Sequence, residues 1–273
     1  MKTEEAFTAL SDVITALLSP TGCPWDRKQT PESLCDYVVE EAFELVEAIR
    51  SGDVAGAREE IGDVMFLLLF VAELYERAGA FSLKDSLEES AAKMIRRHPH
   101  VFANGTISCQ DDLLRTWERI KRAEKSDEEG RPAGVFDSLP RGLPPLLKAY
   151  RIHSKAARAG FTWASDEAAR AQFAAEMREL DEAVASDDAE RIEAEYGDAL
   201  FTFVELGRRL GVKANAALDK TNARFLTRFA RMESLARERG KDVAELDMAA
   251  LDALWDEAKA EEQRGLKTGR DAS

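Results

Sequence analysis

Cysteine and histidine are scarce in this chain, and what there is falls in no ligand or redox spacing. Cys23, Cys35 and Cys109 are odd in number and form no CxxC pair. That fits a reducing cytosol better than a disulfide framework, and three structural thiols are expected. His98, His100 and His153 are preceded three residues earlier by Ile95, Arg97 and Tyr150, which removes the Glu-x-x-His signature of a ferritin-like di-iron bundle. A GxxxxGK[ST] loop is missing, so phosphates are not cradled in the P-loop manner. Long apolar runs are missing too: the stretch from Val64 to Ala72 is far short of the roughly 20 residues that span a bilayer. Met1-Lys2-Thr3-Glu4-Glu5 carries acids where a secretory signal needs bases and an apolar core. Positive charge is in deficit, 38 Lys and Arg against 52 Asp and Glu for a formal net charge of −14. That balance argues against nucleic acid and anionic membranes as partners. The expectation is a cytoplasmic protein with no nucleic-acid or membrane partner. With 273 residues, 45% of them hydrophobic, the chain has material for one large or two moderate cores.

What is abundant is carboxylate, gathered between Glu40 and Asp63. Glu40, Glu41 and Glu44 come first, Ser51-Gly52-Asp53 interrupts, and Glu60 and Asp63 follow. Spacings of three and four place each set on one face of a helix. Val38, Val39, Ala42, Leu45, Val46 and Ile49 supply an apolar stripe, and Gly52 and Gly56 allow a turn, so an antiparallel helical hairpin is predicted. Asp63 opens the apolar run that must be buried. Acidic residues on helices are ordinarily solvated surface, but crowding five on facing helices is unfavourable without a cation among them. Hard divalent ions such as Mg²⁺ take oxygen ligands and leave positions for substrate phosphates.

In chain order, Phe7, Leu10, Val13, Ile14 and Leu17 form a helical stripe ended by Ser19-Pro20-Thr21-Gly22. A second helix is predicted to start near Pro31 with Thr30 as its N-cap. The hairpin runs to about Ala78, a further helix from Ser82 carries Lys93, Arg96 and Arg97, and Leu113 to Glu124 forms another. Residues 126–145 hold four Pro and three Gly, a density that breaks helices. The expected organisation is a module over 1–125, a linker over 126–145 and a second module over 146–273. The second half repeats the first: the offset that carries Gly22 and Trp25 onto Gly160 and Trp163 carries Glu41 onto Glu179 and Glu44 onto Glu182. Glu195 and Asp198 match Glu60 and Asp63 if the turn between the helices loses three residues. Lys220 and Arg224 match Lys93 and Arg97 in spacing, and a duplicated helical module follows.

Gly-Cys-Pro-Trp-Asp at 22–26, Glu-Glu-x-x-Glu at 40–44, Glu-Ile-Gly-Asp at 60–63 and Arg-Arg-His-Pro-His-Val-Phe at 96–102 resemble the motifs of the MazG family of nucleoside triphosphate pyrophosphohydrolases. That family lies within the all-α nucleotide pyrophosphatases, and the resemblance covers nearly the whole chain in a two-module form. It implies an all-α fold of two tandem four-helix modules. It also implies cleavage of nucleoside triphosphates between the α- and β-phosphates to a monophosphate and pyrophosphate, with Mg²⁺ as cofactor and Mn²⁺ as a substitute, in the service of nucleotide-pool clearance. The implied metal ligands are Glu41, Glu44, Glu60 and Asp63, and Glu179, Glu182, Glu195 and Asp198. Glu40 orients water or adds a ligand, and the complete EExxE favours the first module as the catalytic one.

Lys93, Arg96 and Arg97, or Lys220 and Arg224, balance phosphate charge or pair with surface acids. Asn222 is a candidate for bonding a sugar or base. Trp25, Trp163 and Trp255 are candidates for base stacking or for the core. Arg178 falls where Glu40 would be, either to meet phosphate or to weaken the second site. Pairing across the helices, which the family implies, and a surplus of apolar positions over 64–72 lead us to expect a homodimer. The competing reading is a metal- and nucleotide-binding sensor or docking module without turnover.

Overall fold

A computed structural model describes residues 2–103, 108–124 and 133–270. Among these residues the regular structure is helical and no strand occurs. The chain divides into two compact units, Met1–Leu113 and Leu114–Ser273.

In the first unit, α1 (Thr3–Leu17), α2 (Cys35–Ser51), α3 (Val54–Arg77) and α4 (Leu83–Arg97) are followed by the short α5 (Pro99–Phe102). The centre is α3, which packs against α1, α2 and α4. Its buried Leu67, Leu69 and Phe70 meet Ile14, Leu18 and Leu34, and Arg77 donates to the carbonyl of Leu18 at 2.7 Å, closing the C-terminal end of α1. The hairpin turn is set by two residues. Gly52 ends α2 in the left-handed region, φ 77°, which glycine enters without Cβ strain. Asp53 then caps α3, accepting from the amides of Ala55 and Gly56. The predicted start at Pro31 is displaced. Thr30 and Ser33 exchange hydrogen bonds around a turn over 31–34, and the regular helix begins at Cys35.

The helix α6 (Gln110–Glu124) spans the division between the units. In the second unit come α7 (Pro145–Arg158), α8 (Asp166–Ser186), α9 (Ala189–Arg209), α10 (Ala214–Glu238) and α11 (Met248–Arg270). Here α9 is central, packing against α7, α8 and α10, while α11 lies on α10. The α10–α11 core is Met232, Leu235, Ala236, Leu254 and Ala258. The start of the expected linker, 126–132, lies outside the described residues. Of its remainder, 135–138 form a turn and Pro145 opens α7, a position where its missing amide leaves no intrahelical bond unmade.

The hairpin α8–α9 has the same turn as α2–α3. Asp187 ends α8 at φ 56°, a conformation that Asp tolerates better than most residues, and Asp188 caps α9 through the amide of Arg191. No residue is lost within this turn. The three-residue difference between the halves therefore falls before α8, which corrects the expected alignment: Glu41 corresponds to Glu176 and Glu44 to Glu179. Glu40 then corresponds to Ala175, so the expected exchange of Glu40 for Arg178 is not present.

Candidate functional site

Helices α2 and α3 bring Glu41, Glu44 and Glu60 together, with one carboxylate oxygen of each within 4.8 Å of the others. Glu41 and Glu60 are half-buried and Glu44 is exposed. Partial burial, a hydrogen bond with Glu60 and the charges of Glu44 and Asp63 push the Glu41 carboxyl above its ordinary range. Glu60 Oε2 is buried without a hydrogen-bond partner. A mutually repelling group with an orphaned inward-facing oxygen fits the donor set of a hard divalent cation, which would relieve both conditions. Asp63, one turn beyond Glu60, lines a small cavity with Glu41, Trp25, Tyr37 and Phe66. Glu40 is exposed on α2.

In the second unit the corresponding group is Glu176, Glu179 and Glu195, again with carboxylate oxygens within 4.8 Å of one another. Glu182 is outside it. One turn farther along α8, with a side chain 70% exposed, it faces Arg191 at 3.5 Å. Arg191 also lies 3.8 Å from Glu195, so a resident cation borders this group. Its structural counterpart in the first unit is Gly56. Asp198 follows Glu195 by one turn and is exposed, as is Arg178 between Glu176 and Glu179. Sequence reasoning missed Glu176 because the halves were aligned from their tryptophans. The equal spacing from Gly52-Asp53 and Asp187-Asp188 back to the acids was the available signal.

The basic candidates lie on the fourth helix of each unit. Lys93, Arg96 and Arg97 are on α4, and Lys220, Asn222 and Arg224 are exposed on α10. Lys220 and Arg224 are four apart and share a face; Asn222, two residues from each, does not face with them. Trp25 is 53% exposed and meets Tyr37 edge-on at 5.9 Å, at the rim of the cavity holding Glu41 and Asp63. Trp255 instead packs in the α10–α11 core. One face meets Phe225 at 5.1 Å and the ring carries Arg228 at 5.9 Å.

The second unit has a larger cavity, about 490 Å³, lined by Ile152, His153, Phe161, Thr162, Trp163, Phe201 and Glu205 among others. Its polar floor was not foreseen. Glu205 is 1% exposed and accepts from Arg208 at 2.6 and 2.8 Å and from Thr162 at 3.3 Å. Burial alone would raise its pKa, but Arg208, with help from His153 and Thr162, holds it below the ordinary range. His153 Nε2 lies 3.0 Å from the Phe201 carbonyl and must donate there. Burial keeps its imidazole neutral to lower pH than usual, against the opposing pull of that bond and of Glu205.

A family model described as the MazG nucleotide pyrophosphohydrolase domain matches residues 29–102, which contain the whole first acidic group. The chain is 38% identical over 253 residues to the nucleoside triphosphate pyrophosphohydrolase/pyrophosphatase MazG of Thermotoga maritima, covering 93% of this chain and 95% of the relative. It is 34% identical over 250 residues to the nucleoside triphosphate pyrophosphohydrolase of Escherichia coli K12, covering 88% and 92%. A solved structure, a mazG-related protein from Thermotoga maritima, matches 42% of the chain and 97% of its own at 30% identity with a TM-score of 0.37. Covering more than nine-tenths of each of the two pyrophosphohydrolases from Thermotoga maritima and Escherichia coli K12, at 38% and 34% identity, and carrying the acidic hairpin within the matched domain, the chain belongs to the MazG family of nucleotide pyrophosphohydrolases.

Proposed function

We propose that this chain hydrolyses nucleoside triphosphates between the α- and β-phosphates, releasing a monophosphate and pyrophosphate, as nucleotide-pool clearance. The observation that carries this reading is the group Glu41, Glu44 and Glu60, with its buried unpartnered oxygen and its raised carboxyl. The names of the full-length relatives support it. Glu41, Glu44, Glu60 and Asp63 would hold Mg²⁺, or Mn²⁺ in its place, as would Glu176, Glu179, Glu195 and Asp198. When bound, the ion supplies polarisation of the phosphoryl group and a lowered pKa for the attacking water.

The chain's own side chains do the rest. Glu40, adjacent in sequence to Glu41, would orient the attacking water or add a ligand, and the exposed Trp25 offers a ring face at the cavity rim. Lys93, Arg96 and Arg97, with Lys220 and Arg224 in the second unit, supply charge against the phosphates. Val39, Phe43, Val46 and Ile49 on α2 and Ile61, Met65 and Leu68 on α3 are all at least 36% exposed in the single chain. A second copy would cover this apolar face, giving a homodimer.

Product analysis tests the reaction. Incubation with common nucleoside triphosphates and Mg²⁺ should yield monophosphate and pyrophosphate, cease with chelator and resume with Mg²⁺ or Mn²⁺. Orthophosphate with a diphosphate would place attack on a different phosphorus. Triphosphate recovered intact but bound would instead make the chain a nucleotide-binding module.

A further inference from the structure

We propose that a pocket between α6 and α7 of the second unit binds a diphosphate group. In a chain of net charge −14, this cavity of about 280 Å³ is lined by Arg115, Arg119, Lys155 and Arg158 against a single carboxylate, Glu118. It shares no lining residue with the larger cavity that holds His153 and Glu205.

The carboxylate is already engaged. Glu118 accepts from Lys155 at 3.0 Å and from Arg158 at 2.9 Å, and Lys155, 6% exposed, also donates to Ser138 at 2.8 Å. The remaining two cations are exposed. Arg115 and Arg119 sit four apart on one face of α6, a like-charge spacing that disfavours a helix unless an anion lies between them. Among the described residues neither has a hydrogen-bond or ion-pair partner.

Two guanidinium forks and a buried ammonium facing one hollow match a diphosphate, whose oxygens take paired N–H donors. Ala123, Val135 and Ala159 complete the lining of the hollow. The volume lies just below the range of about 300–1,000 Å³ that encloses a drug-sized ligand, so it suits the phosphates alone, with any nucleoside outside. The diphosphate is either free pyrophosphate or the terminal group of a nucleotide. The proposal does not depend on turnover.

Calorimetric titration of the full chain with pyrophosphate, in metal-free buffer containing chelator, tests it. We expect binding that Arg115→Ala with Arg119→Ala weakens at least tenfold while circular dichroism is unchanged, and that Glu44→Gln with Glu179→Gln leaves intact. ADP bound as tightly, and weakened by the same arginine pair, would assign the site to nucleotide diphosphates; ADP failing to bind would assign it to free pyrophosphate. The proposal is overturned if wild type binds neither, if the arginine pair has no effect, if the glutamate pair abolishes binding, or if orthophosphate binds equally well.

Discussion

Glu205 stands on α9 where Phe70 stands on α3. Each lies equally far past the N-cap aspartate of its helix, Asp188 and Asp53, and each is 1% exposed. One unit fills this position with an aromatic ring packed in the core of Ile14, Leu18 and Leu34. The other fills it with a carboxylate held by Arg208 and Thr162, with Arg209 3.8 Å away. A buried carboxylate is tolerated only when its partners are in place, so the second unit has exchanged apolar packing for a satisfied polar network beside a larger cavity.

Removing that carboxylate should be costly. Glu205→Ala leaves Arg208 half-buried without its partner and is expected to destabilise the second unit by about 3–5 kcal/mol. Glu205→Gln, which retains acceptors, should cost less. Urea unfolding followed by circular dichroism measures both; equal losses would mean that a neutral acceptor does nothing for Arg208 and that the charge is what it requires.

The buried imidazole predicts a pH dependence. His153 has its pKa lowered on folding from the ordinary 6.5, so the unfolded chain binds the proton more readily. Its contribution to stability is full above that ordinary value and is lost as pH falls through it toward the folded pKa. The thermal midpoint of the second unit should drop between about pH 7.5 and pH 5.5. His153→Gln, which keeps a donor for the Phe201 carbonyl, should flatten that drop, and an unchanged slope would assign it to another group.

Site partition is the next expectation. Glu176→Ala and Glu179→Ala should each remove one Mn²⁺ from the binding stoichiometry, whereas Glu182→Ala should retain it. In a Glu44→Ala background the first two should lower turnover well over tenfold, on the scale of metal-assisted charge stabilisation. Loss of Mn²⁺ with Glu182→Ala alone would restore the alignment drawn from the tryptophans.

The hairpins were legible in the sequence because their signals are local. Carboxylates three and four apart, an apolar stripe and Gly52-Asp53 specify two helices and their turn without reference to anything distant. The register of the second half was not legible from Trp163, since a loop between the tryptophan and α8 can shorten without disturbing either neighbour. The caps resist such change, and they carry the true correspondence. The network of His153, Glu205 and Arg208 was invisible for a different reason. Glu205 and Arg208 are three apart on α9, a spacing that exposed ion pairs also have, and their enclosure comes from distant residues on α7 and the loop after it, His153 and Thr162.

Association should be visible in solution. If the exposed apolar face of α2 and α3 is covered by a second copy, light scattering at micromolar concentration should give twice the 30.3 kDa chain mass. Phe43→Glu together with Leu68→Glu should shift it toward one chain. A single-chain mass for the unaltered protein would reject the dimer.

All three carboxylates of the first group lie on one hairpin, and its closure is what brings Glu41 against Glu60. Contacts between sequence neighbours form early and quickly, but here the closing step also gathers like charges. The turn at Gly52-Asp53 and the apolar contacts of α3 must hold the helices together against this repulsion, so the nucleation of the hairpin belongs to the turn.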